Sequence, residues 1–207
     1  MTTIWDWRAK FYDVCEGSRL RRGPSKAALF QEMTGRVIFV AVGTGVDFMH
    51  FPPGREIVGI DISDQMLRRA EARRQAYDGS LSLVRMDAQE LKFPDASFDT
   101  AVTSCTMCSV PDPVAALREL HRVLRPGSRL LMFEHVRSRN PVFGAALDIM
   151  TLWTRLWGTT MNRDTLTNVR SAGFHIMHVE SVYLDIILRI YAVKPDLGDK
   201  ALSGIEN

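Results

Sequence analysis

The chain has 207 residues, of which 46% are hydrophobic and 24% charged, as in globular proteins with a sizeable core. Its net charge of +2 is too small to indicate a nucleic-acid partner, and three cysteines are too few for a disulfide scaffold. No apolar run reaches the ~18 residues of a membrane-spanning helix, and the N-terminus has no signal-peptide core. We expect one cytoplasmic domain over 1–195 and a flexible tail at 196–207.

The first 34 residues are rich in basic and aromatic side chains. Their pattern predicts helical structure over 4–22, a break at Gly23-Pro24-Ser25, and a second helix over about 24–34. A basic segment with interleaved aromatic residues favours an anionic membrane surface. The alternative is a solvated helix that turns one face to the core.

A buried strand and a glycine loop form the most informative stretch of the chain. The strand is predicted at Val37–Val40, and the loop contains Gly43-Thr44-Gly45. The next predicted strand, Glu56–Asp61, ends in a carboxylate that can accept hydrogen bonds from both hydroxyls of a ribose. A dinucleotide-binding loop needs a third glycine, but Phe48 stands there, which disfavours a pyrophosphate cofactor and favours S-adenosylmethionine.

Strands and helices alternate through the remaining chain, which predicts a parallel sheet with right-handed crossovers. The predicted helices run from Ser63 or Asp64 to about Tyr77, from Pro113 to Arg125-Pro-Gly127, and from Asp164 or Thr165 to Ser171. The predicted strands are Leu81–Met86, Phe98–Ser104, Arg129–Glu134, Phe174–Val182 and Leu184–Lys194.

Residues 141–163 have few polar positions. One interpretation is a buried crossover helix. The other is a lid that lines an apolar acceptor pocket, and both can hold because ligand sites form beyond the carboxyl ends of parallel strands.

Several motifs carry a family resemblance that covers roughly residues 5–194. Phe93-Pro-Asp-Ala-Ser-Phe-Asp99, Cys108–Pro113, Leu120–Gly127 and Phe133-Glu-His-Val136 resemble class I S-adenosylmethionine-dependent methyltransferases. Within them, the chain is similar to the group of phosphatidylethanolamine N-methyltransferases, ubiquinone/menaquinone C-methyltransferases and thiol methyltransferase-like proteins. The resemblance implies an α/β, Rossmann-like seven-stranded sheet in the order 3-2-1-4-5-7-6, with helices on both faces and the last strand antiparallel.

The resemblance implies S-adenosylmethionine as cofactor, S-adenosylhomocysteine as product, and an adenine edge at Asp87-Ala88. The implied cofactor-binding residues are Ala41, Gly43, Thr44, Gly45, Asp61, Ile62, Met66, Asp87, Ala88, Ser104 and Cys105. The chain departs from the family pattern at Phe39, where an acidic residue is usual, and at Ala41, where glycine is usual. Asp47 directly follows the loop and could partly replace the missing charge.

Methyl transfer to an amine needs alignment and a group that keeps the amine neutral. The candidates for catalysis are Tyr12, His135 and Asp148, each with an alternative structural role. Tyr12, His135, Trp153 and Arg163 are candidates for substrate binding, Arg163 as a phosphate ligand. Cys105 and Cys108 lack the context of a redox pair or zinc site, so we predict no metal and expect reduced thiols near a pocket.

The residues and the resemblance together predict methyl transfer from S-adenosylmethionine to a lipophilic acceptor. The favoured acceptor is the amine of phosphatidylethanolamine and its methylated forms. A quinone precursor or a small lipophilic or thiol molecule is the alternative acceptor, and a non-catalytic binding protein is the alternative from another functional class. The favoured reading places the protein in the cytoplasm, peripheral on the inner face of the membrane.

Overall fold

Seven strands form one mixed sheet in the order β3-β2-β1-β4-β5-β7-β6. The structure is a computed structural model that describes residues 5–6 and 19–196, with the backbone alone for 19–22. Strands β1 to β5 pair in parallel, and β7 is antiparallel to both of its neighbours. This order confirms the predicted fold. The strands are β1 Arg36–Val40, β2 Glu56–Asp61, β3 Ser80–Arg85, β4 Phe98–Ser104, β5 Leu124–His135, β6 His175–Tyr183 and β7 Ile187–Val193.

Within residues 19–196, five α-helices accompany the sheet, and residues 5–6 are also helical. The five helices are α1 Arg19–Phe30, α2 Asp64–Arg74, α3 Pro113–Val123, α4 Pro141–Thr154 and α5 Thr165–Ser171, with short 3₁₀ helices at Val46–His50 and Arg155–Trp157. At four helix starts, a polar side chain just before the helix accepts hydrogen bonds from backbone N–H groups of the first turn. These side chains are Ser63, Asp112, Asn140 and Asp164. The predicted starts of α2 and α5 are therefore confirmed.

The sheet has a hydrophobic core on each face, because successive residues of a strand point to opposite sides. In β1, Ile38 and Val40 belong to one core, which includes residues of α3 and α5. Val37 and Phe39 belong to the other, which includes the end of α1 and the loop after β1. Strands β1 and β4 are neighbours at the switch point of the strand order, and ligands bind beyond the carboxyl ends of the strands at such points.

The predicted helix break at Gly23-Pro24-Ser25 is wrong, because α1 continues from Arg19 through Pro24 to Phe30. Proline within a helix removes one backbone hydrogen bond. Tertiary contacts after the proline compensate: Leu29 and Phe30 are fully buried, and Lys26 forms a buried ion pair with Asp47. Burial therefore outweighs the local breaking signal.

Strand β5 starts earlier than predicted, at Leu124 rather than Arg129. The predicted stop at Arg125-Pro-Gly127 lies within the strand, where the pairing with β4 shifts register between Phe98 and Thr100. Gly127 has φ of 74°, which lets the chain continue through this irregularity.

Helix α4 is not a buried crossover helix, so that interpretation of residues 141–163 is wrong. Only Gly144, Leu147 and Thr151 are buried within it. Its other large apolar side chains face outward, as do those of the 3₁₀ helix that follows. The exposed residues are Val142, Phe143, Ile149, Met150, Leu152, Trp153, Leu156 and Trp157.

Candidate cofactor and acceptor site

A cavity of about 760 Å³ lies at the carboxyl ends of β1, β2, β4 and β5. Its size suits a nucleoside-sized ligand together with part of a second molecule. One wall comes from residues 158–161, beyond α4, and Trp5 of the N-terminal segment also lines it. The predicted site residues that line the cavity are Ala41, Gly43, Asp61, Ile62, Met66, Asp87, Ala88, Ser104, Cys105, His135 and Arg163.

Asp61 is a buried acceptor at the end of β2. Its Oδ2 accepts a hydrogen bond from Gly43 N at 2.9 Å, and its Oδ1 accepts one from Ser63 N at 2.9 Å. Burial raises the pKa of this carboxyl, while the backbone N–H groups of Ser63 and Gly43 oppose that rise. Each carboxylate oxygen has a second lone-pair direction, so Asp61 can still accept bonds from a ligand in the cavity.

Asp6 lies beside this carboxylate. Asp6 Oδ1 accepts hydrogen bonds from Ser63 Oγ at 2.6 Å and Gln65 N at 3.2 Å. A carboxylate at the first turn of α2 interacts favourably with the helix dipole. The described part of the N-terminus thus brings Trp5 to the cavity wall.

Two residues of the predicted cofactor loop shape it without lining the cavity. Thr44 is fully buried, and its carbonyl accepts a hydrogen bond from Arg73 Nη1 at 2.6 Å. Gly45 has φ of 78°, and a Cβ there would lie 2.6 Å from Phe48 Cε2 and 3.1 Å from Ala70 Cα. Glycine is therefore required by the close packing of the loop against Phe48 and α2.

Phe39 occupies the family's acidic position but belongs to the core. Its ring packs against Phe30 and Phe51, at centroid distances of 5.6 and 4.9 Å, and it does not line the cavity. Asp47 does not replace the missing charge, because both of its oxygens accept bonds from buried Lys26 Nζ, at 2.9 and 3.1 Å. The suggestion that Asp47 compensates for Phe39 is therefore wrong.

Ala41 lines the cavity with a backbone φ of 55°, which an L-residue adopts at a cost of ~1–2 kcal/mol. We expect Ala41→Gly to raise the free energy of unfolding by ~0.5–1 kcal/mol, because this strain exceeds the entropy cost of glycine. Cofactor affinity should also rise, since a methyl group leaves the cavity. Chemical denaturation and calorimetry measure the two effects.

Ala96→Gly is the matched control, because Ala96 has φ of 50° in a loop outside the cavity lining. It should show a similar gain in stability with no change in cofactor affinity. A loss of stability in Ala41→Gly beside a gain in Ala96→Gly would contradict the strain argument.

Glu134 holds the loop after β4 and was missed by the sequence reasoning. Its Oε1 accepts bonds from Thr103 Oγ1 at 2.7 Å and Thr106 N at 3.1 Å, and its Oε2 accepts one from Met107 N at 3.1 Å. It is fully buried, and burial raises its pKa to about 7. The available signal was a lone acid at the end of the apolar strand β5.

The loop that Glu134 holds presents Ser104 and Cys105 to the cavity. Ser104 Oγ is buried and has no hydrogen-bond partner among the described residues, as expected of a group that meets a ligand. Cys105 and Cys108 both line the cavity as thiols outside any disulfide, and burial raises the pKa of Cys108 to about 11. Within residues 5–6 and 19–196, no His, Cys, Asp or Glu cluster could hold a metal ion.

Only some of the residues predicted for catalysis and substrate binding lie at the cavity. His135 and Arg163 line the cavity, at the end of β5 and beyond α4. Arg163 Nε donates to Thr160 Oγ1 at 2.6 Å, and its Nη2 donates to Val110 O at 2.9 Å. Tyr12 lies outside the described residues.

Asp148 and Trp153 lie outside the cavity lining. Asp148 accepts hydrogen bonds from Arg137 at 3.1 and 2.8 Å and from Asn162 Nδ2 at 3.0 Å. These bonds lower the pKa of Asp148 to about 2, which is unsuited to a base, so the structure contradicts its proposed catalytic role. Trp153 is exposed on α4, outside the pocket it was expected to line.

The hydrogen-bonding side chains of the cavity fit an S-adenosyl ligand. Asp61 and Asp87 present carboxylates at the ends of β2 and β3, and Ser104 presents an unsatisfied hydroxyl beside the glycine loop. A ligand with ribose hydroxyls and an amino group would satisfy these groups.

Comparisons with known proteins agree with this geometry. A family model described as "Methyltransferase domain" matches residues 39–132. Phosphatidylethanolamine N-methyltransferase of Cereibacter sphaeroides is 35% identical over 142 residues, which is 67% of each chain. Ubiquinone/menaquinone biosynthesis C-methyltransferase of Hahella chejuensis is 36% identical over 119 residues, 55% of this chain and 48% of that one.

Among solved structures, an S-adenosylmethionine-dependent methyltransferase from Mesorhizobium loti matches with a TM-score of 0.64. The two are 23% identical, and the match covers 84% of this chain and 97% of that one, which shows the shared fold. The strand order, the cavity and the sequence relatives lead to one conclusion. The chain belongs to the class I S-adenosylmethionine-dependent methyltransferases.

Proposed function

We propose that this methyltransferase acts on the amine of phosphatidylethanolamine and its methylated forms. The proposal rests on the cavity wall that follows α4. This wall contains an arginine, which can bind a phosphate, and it lies next to α4, which has an exposed apolar face. Arg163 lines the cavity, and the helix leading to that wall exposes a broad apolar face. A lipid with an anionic headgroup matches both features. The C. sphaeroides relative carries the corresponding name.

A quinone precursor is the second candidate acceptor. The H. chejuensis relative is named for quinone methylation and has nearly the same identity, although this chain spans only 48% of its length. A quinone ring needs an apolar cavity but no phosphate ligand. The two acceptors therefore differ most in what they require from Arg163.

In the proposed reaction, several residues of the cavity have a defined task. Asp61 binds the ribose hydroxyls, Asp87-Ala88 meets the adenine edge, and Ser104 bonds the polar amino-acid part of the cofactor. The bound cofactor supplies an electrophilic methyl group on its sulfonium sulfur. His135, at the cavity rim, takes the proton that the attacking amine must lose, and residues 158–161 exclude water from the acceptor.

Arg163→Met should raise the KM for phosphatidylethanolamine at least about tenfold, because a charge-assisted bond to the phosphate is lost. The cofactor Kd should stay within about threefold, since Asp61 and Asp87 are unchanged. Steady-state kinetics in mixed micelles and calorimetry measure the two quantities. Arg163→Lys should recover part of the KM, because lysine keeps the charge but loses the paired donors.

Arg170→Met is the matched control, because Arg170 is an exposed arginine on α5 outside the cavity lining. It should leave both constants unchanged. A fall in kcat at constant KM in Arg163→Met would instead show that Arg163 only braces Thr160 and the carbonyl of Val110.

The acceptor assay itself compares two lipids in the same detergent micelles. Phosphatidylethanolamine should gain one or more methyl groups, detected by mass spectrometry, while demethylated menaquinone should gain none. The reverse pattern would establish the quinone alternative. Methylation of neither lipid, together with measurable cofactor binding, would support a non-catalytic binding protein.

We also propose that the protein works in the cytoplasm at the inner face of the membrane. No helix within residues 5–6 and 19–196 is long and apolar enough to cross a bilayer. Within the basic, aromatic segment at residues 1–22, the structure describes only residues 5–6 and the backbone of 19–22, so its membrane role stays a prediction. Deletion of 1–22 should weaken flotation with anionic vesicles, and unchanged flotation would refute that role.

A further inference from the structure

The outward face of α4 is unusual for a helix on a protein surface. At 100° per residue, its exposed apolar side chains cover an arc of about 180°, half of the helix circumference. Leu152 is 67% exposed, Trp153 71% and Leu156 73%. Surface helices normally turn apolar residues inward, and a continuous outward apolar face marks an interaction site.

The exposed arc carries no unpaired charge. Asp148 is the only charged residue of α4, and it forms an ion pair with Arg137 at 2.8 Å beside the arc. Removing this arc from water would therefore leave no isolated charge in an apolar medium. Trp153 and Trp157 add the amphipathic rings that favour the boundary between lipid and water.

The charge around the helix is positive. Residues 137–164 contain four arginines, Arg137, Arg139, Arg155 and Arg163, against Asp148 and Asp164. Asp185 accepts a hydrogen bond from Arg139 N at 2.6 Å beside the start of α4, so the positive excess is one charge. Arg139 and Arg155 are exposed at opposite ends of α4. An apolar helix face between exposed arginines complements an anionic lipid surface, with apolar groups among the acyl chains and cations at the phosphates.

The same helix is connected to the cavity. Thr151, on the buried side of α4, accepts a hydrogen bond from Met161 N at 3.0 Å, and Met161 lines the cavity. Thr160 N donates to Cys108 O at 2.8 Å, which ties this wall to the loop after β4. The inner face of α4 thus supports the cavity wall, and its outer face lies on the opposite side of the helix.

We infer that the outward face of α4 and the following 3₁₀ helix, Pro141–Trp157, is the surface on which an anionic phospholipid bilayer docks. The inference rests on the proposed function, because it explains how a bilayer lipid would reach the cavity. A lipid amine enters past residues 155–163 while its acyl chains stay in the bilayer. The proposed surface consists of residues 141–157 and is a separate proposal from the membrane role of residues 1–22.

The test measures flotation of the full chain with vesicles of phosphatidylcholine and phosphatidylglycerol in equal amounts. The variant Ile149→Gln/Leu152→Gln/Leu156→Gln removes three apolar side chains that lie outside the cavity lining. We expect binding at least about tenfold weaker than for the unmodified chain. The control Met49→Gln/Met177→Gln removes exposed apolar side chains elsewhere and should bind normally.

A thermal melt confirms that each variant is folded, and activity on a short-chain, monomeric phosphatidylethanolamine separates docking from catalysis. The triple variant should keep that activity while losing methylation of vesicle lipid. Unchanged vesicle binding of the triple variant would overturn the inference and leave the proposed function standing. Docking without methylation of any phospholipid would leave the surface standing and overturn the proposed function.

A second copy of the chain is the competing occupant of this face. Sedimentation would then show a dimer that the triple variant dissociates, with no vesicle binding by the unmodified chain, and the inference would fail. In a Trp5→Phe/Trp7→Phe variant, Trp153 and Trp157 are the only remaining tryptophans. Brominated lipids should quench their fluorescence, and an absence of quenching in vesicle-bound protein would also contradict the inference.

Discussion

Asp61→Ala is expected to weaken binding of S-adenosylmethionine at least about 100-fold. Asp61 is the buried carboxylate at the end of β2, and its free lone-pair directions suit the two ribose hydroxyls. Hydrogen bonds to a charged acceptor are worth ~1.5–3 kcal/mol each, so the loss of two exceeds a factor of 100. Isothermal titration with S-adenosylmethionine and S-adenosylhomocysteine measures this change.

Two further variants make the Asp61 result specific. Asp61→Asn keeps the shape and one acceptor oxygen, so its affinity should lie between the wild type and Asp61→Ala. Asp64→Ala removes an exposed neighbour that pairs with Arg85 at 3.0 Å, and its affinity should change less than about threefold. Equal affinities for wild type and Asp61→Ala would contradict the assignment of the ribose site.

Glu134→Gln is expected to change how stability depends on pH. Burial raises the folded pKa of Glu134 to about 7 from its ordinary value of 4.5. A carboxyl with a raised folded pKa contributes stability that is full below its unfolded pKa and is lost as pH rises through the folded pKa. Relative to the glutamine variant, wild type should therefore lose about 3 kcal/mol of unfolding free energy between about pH 4.5 and pH 7.

Urea denaturation of both proteins at several pH values gives this difference directly. Glu119→Gln is the control, because hydrogen bonds from Arg122 and Leu91 lower the pKa of Glu119. The stability that Glu119 contributes is present above its unfolded pKa and is lost only as the pH falls through its folded pKa. The difference for Glu119→Gln should thus be nearly flat from about pH 5.5 to pH 8, and a difference for Glu134→Gln that grows with pH would contradict its burial as a carboxylic acid.

The sheet could be predicted well because its strands are short apolar runs between turn residues. Strands β2 and β4 have the predicted bounds, Glu56–Asp61 and Phe98–Ser104. Asp61 could be singled out as well, since its place at the end of β2 follows from local pattern alone. Strand order came from the family resemblance and is confirmed by the pairing.

The missed features all depend on contacts between distant parts of the chain. Glu134 bonds a loop around Thr106, and nothing near Glu134 in sequence shows that those N–H groups need an acceptor. The sequence makes Asp148 a plausible base, but the fold pairs it with Arg137, eleven residues away in the chain. Asp47 likewise pairs with Lys26, on a helix whose proline signalled a break.

Helix α4 shows a different kind of failure. In a protein surrounded only by water, apolar composition predicts burial. Residues 141–163 therefore fit a buried crossover helix. The structure buries only a narrow stripe containing Leu147 and Thr151. Composition indicates how apolar a helix is, but its packing against the rest of the protein decides which face stays exposed to solvent.

Methyl transfer from labelled cofactor tests the central claim most directly. The purified chain is incubated with methyl-tritiated S-adenosylmethionine and a total lipid extract, and the labelled lipids are separated and identified. The account predicts label in methylated derivatives of phosphatidylethanolamine, with little product from Asp61→Ala. Label confined to quinones, or no label in any lipid from a protein that binds the cofactor, would contradict it.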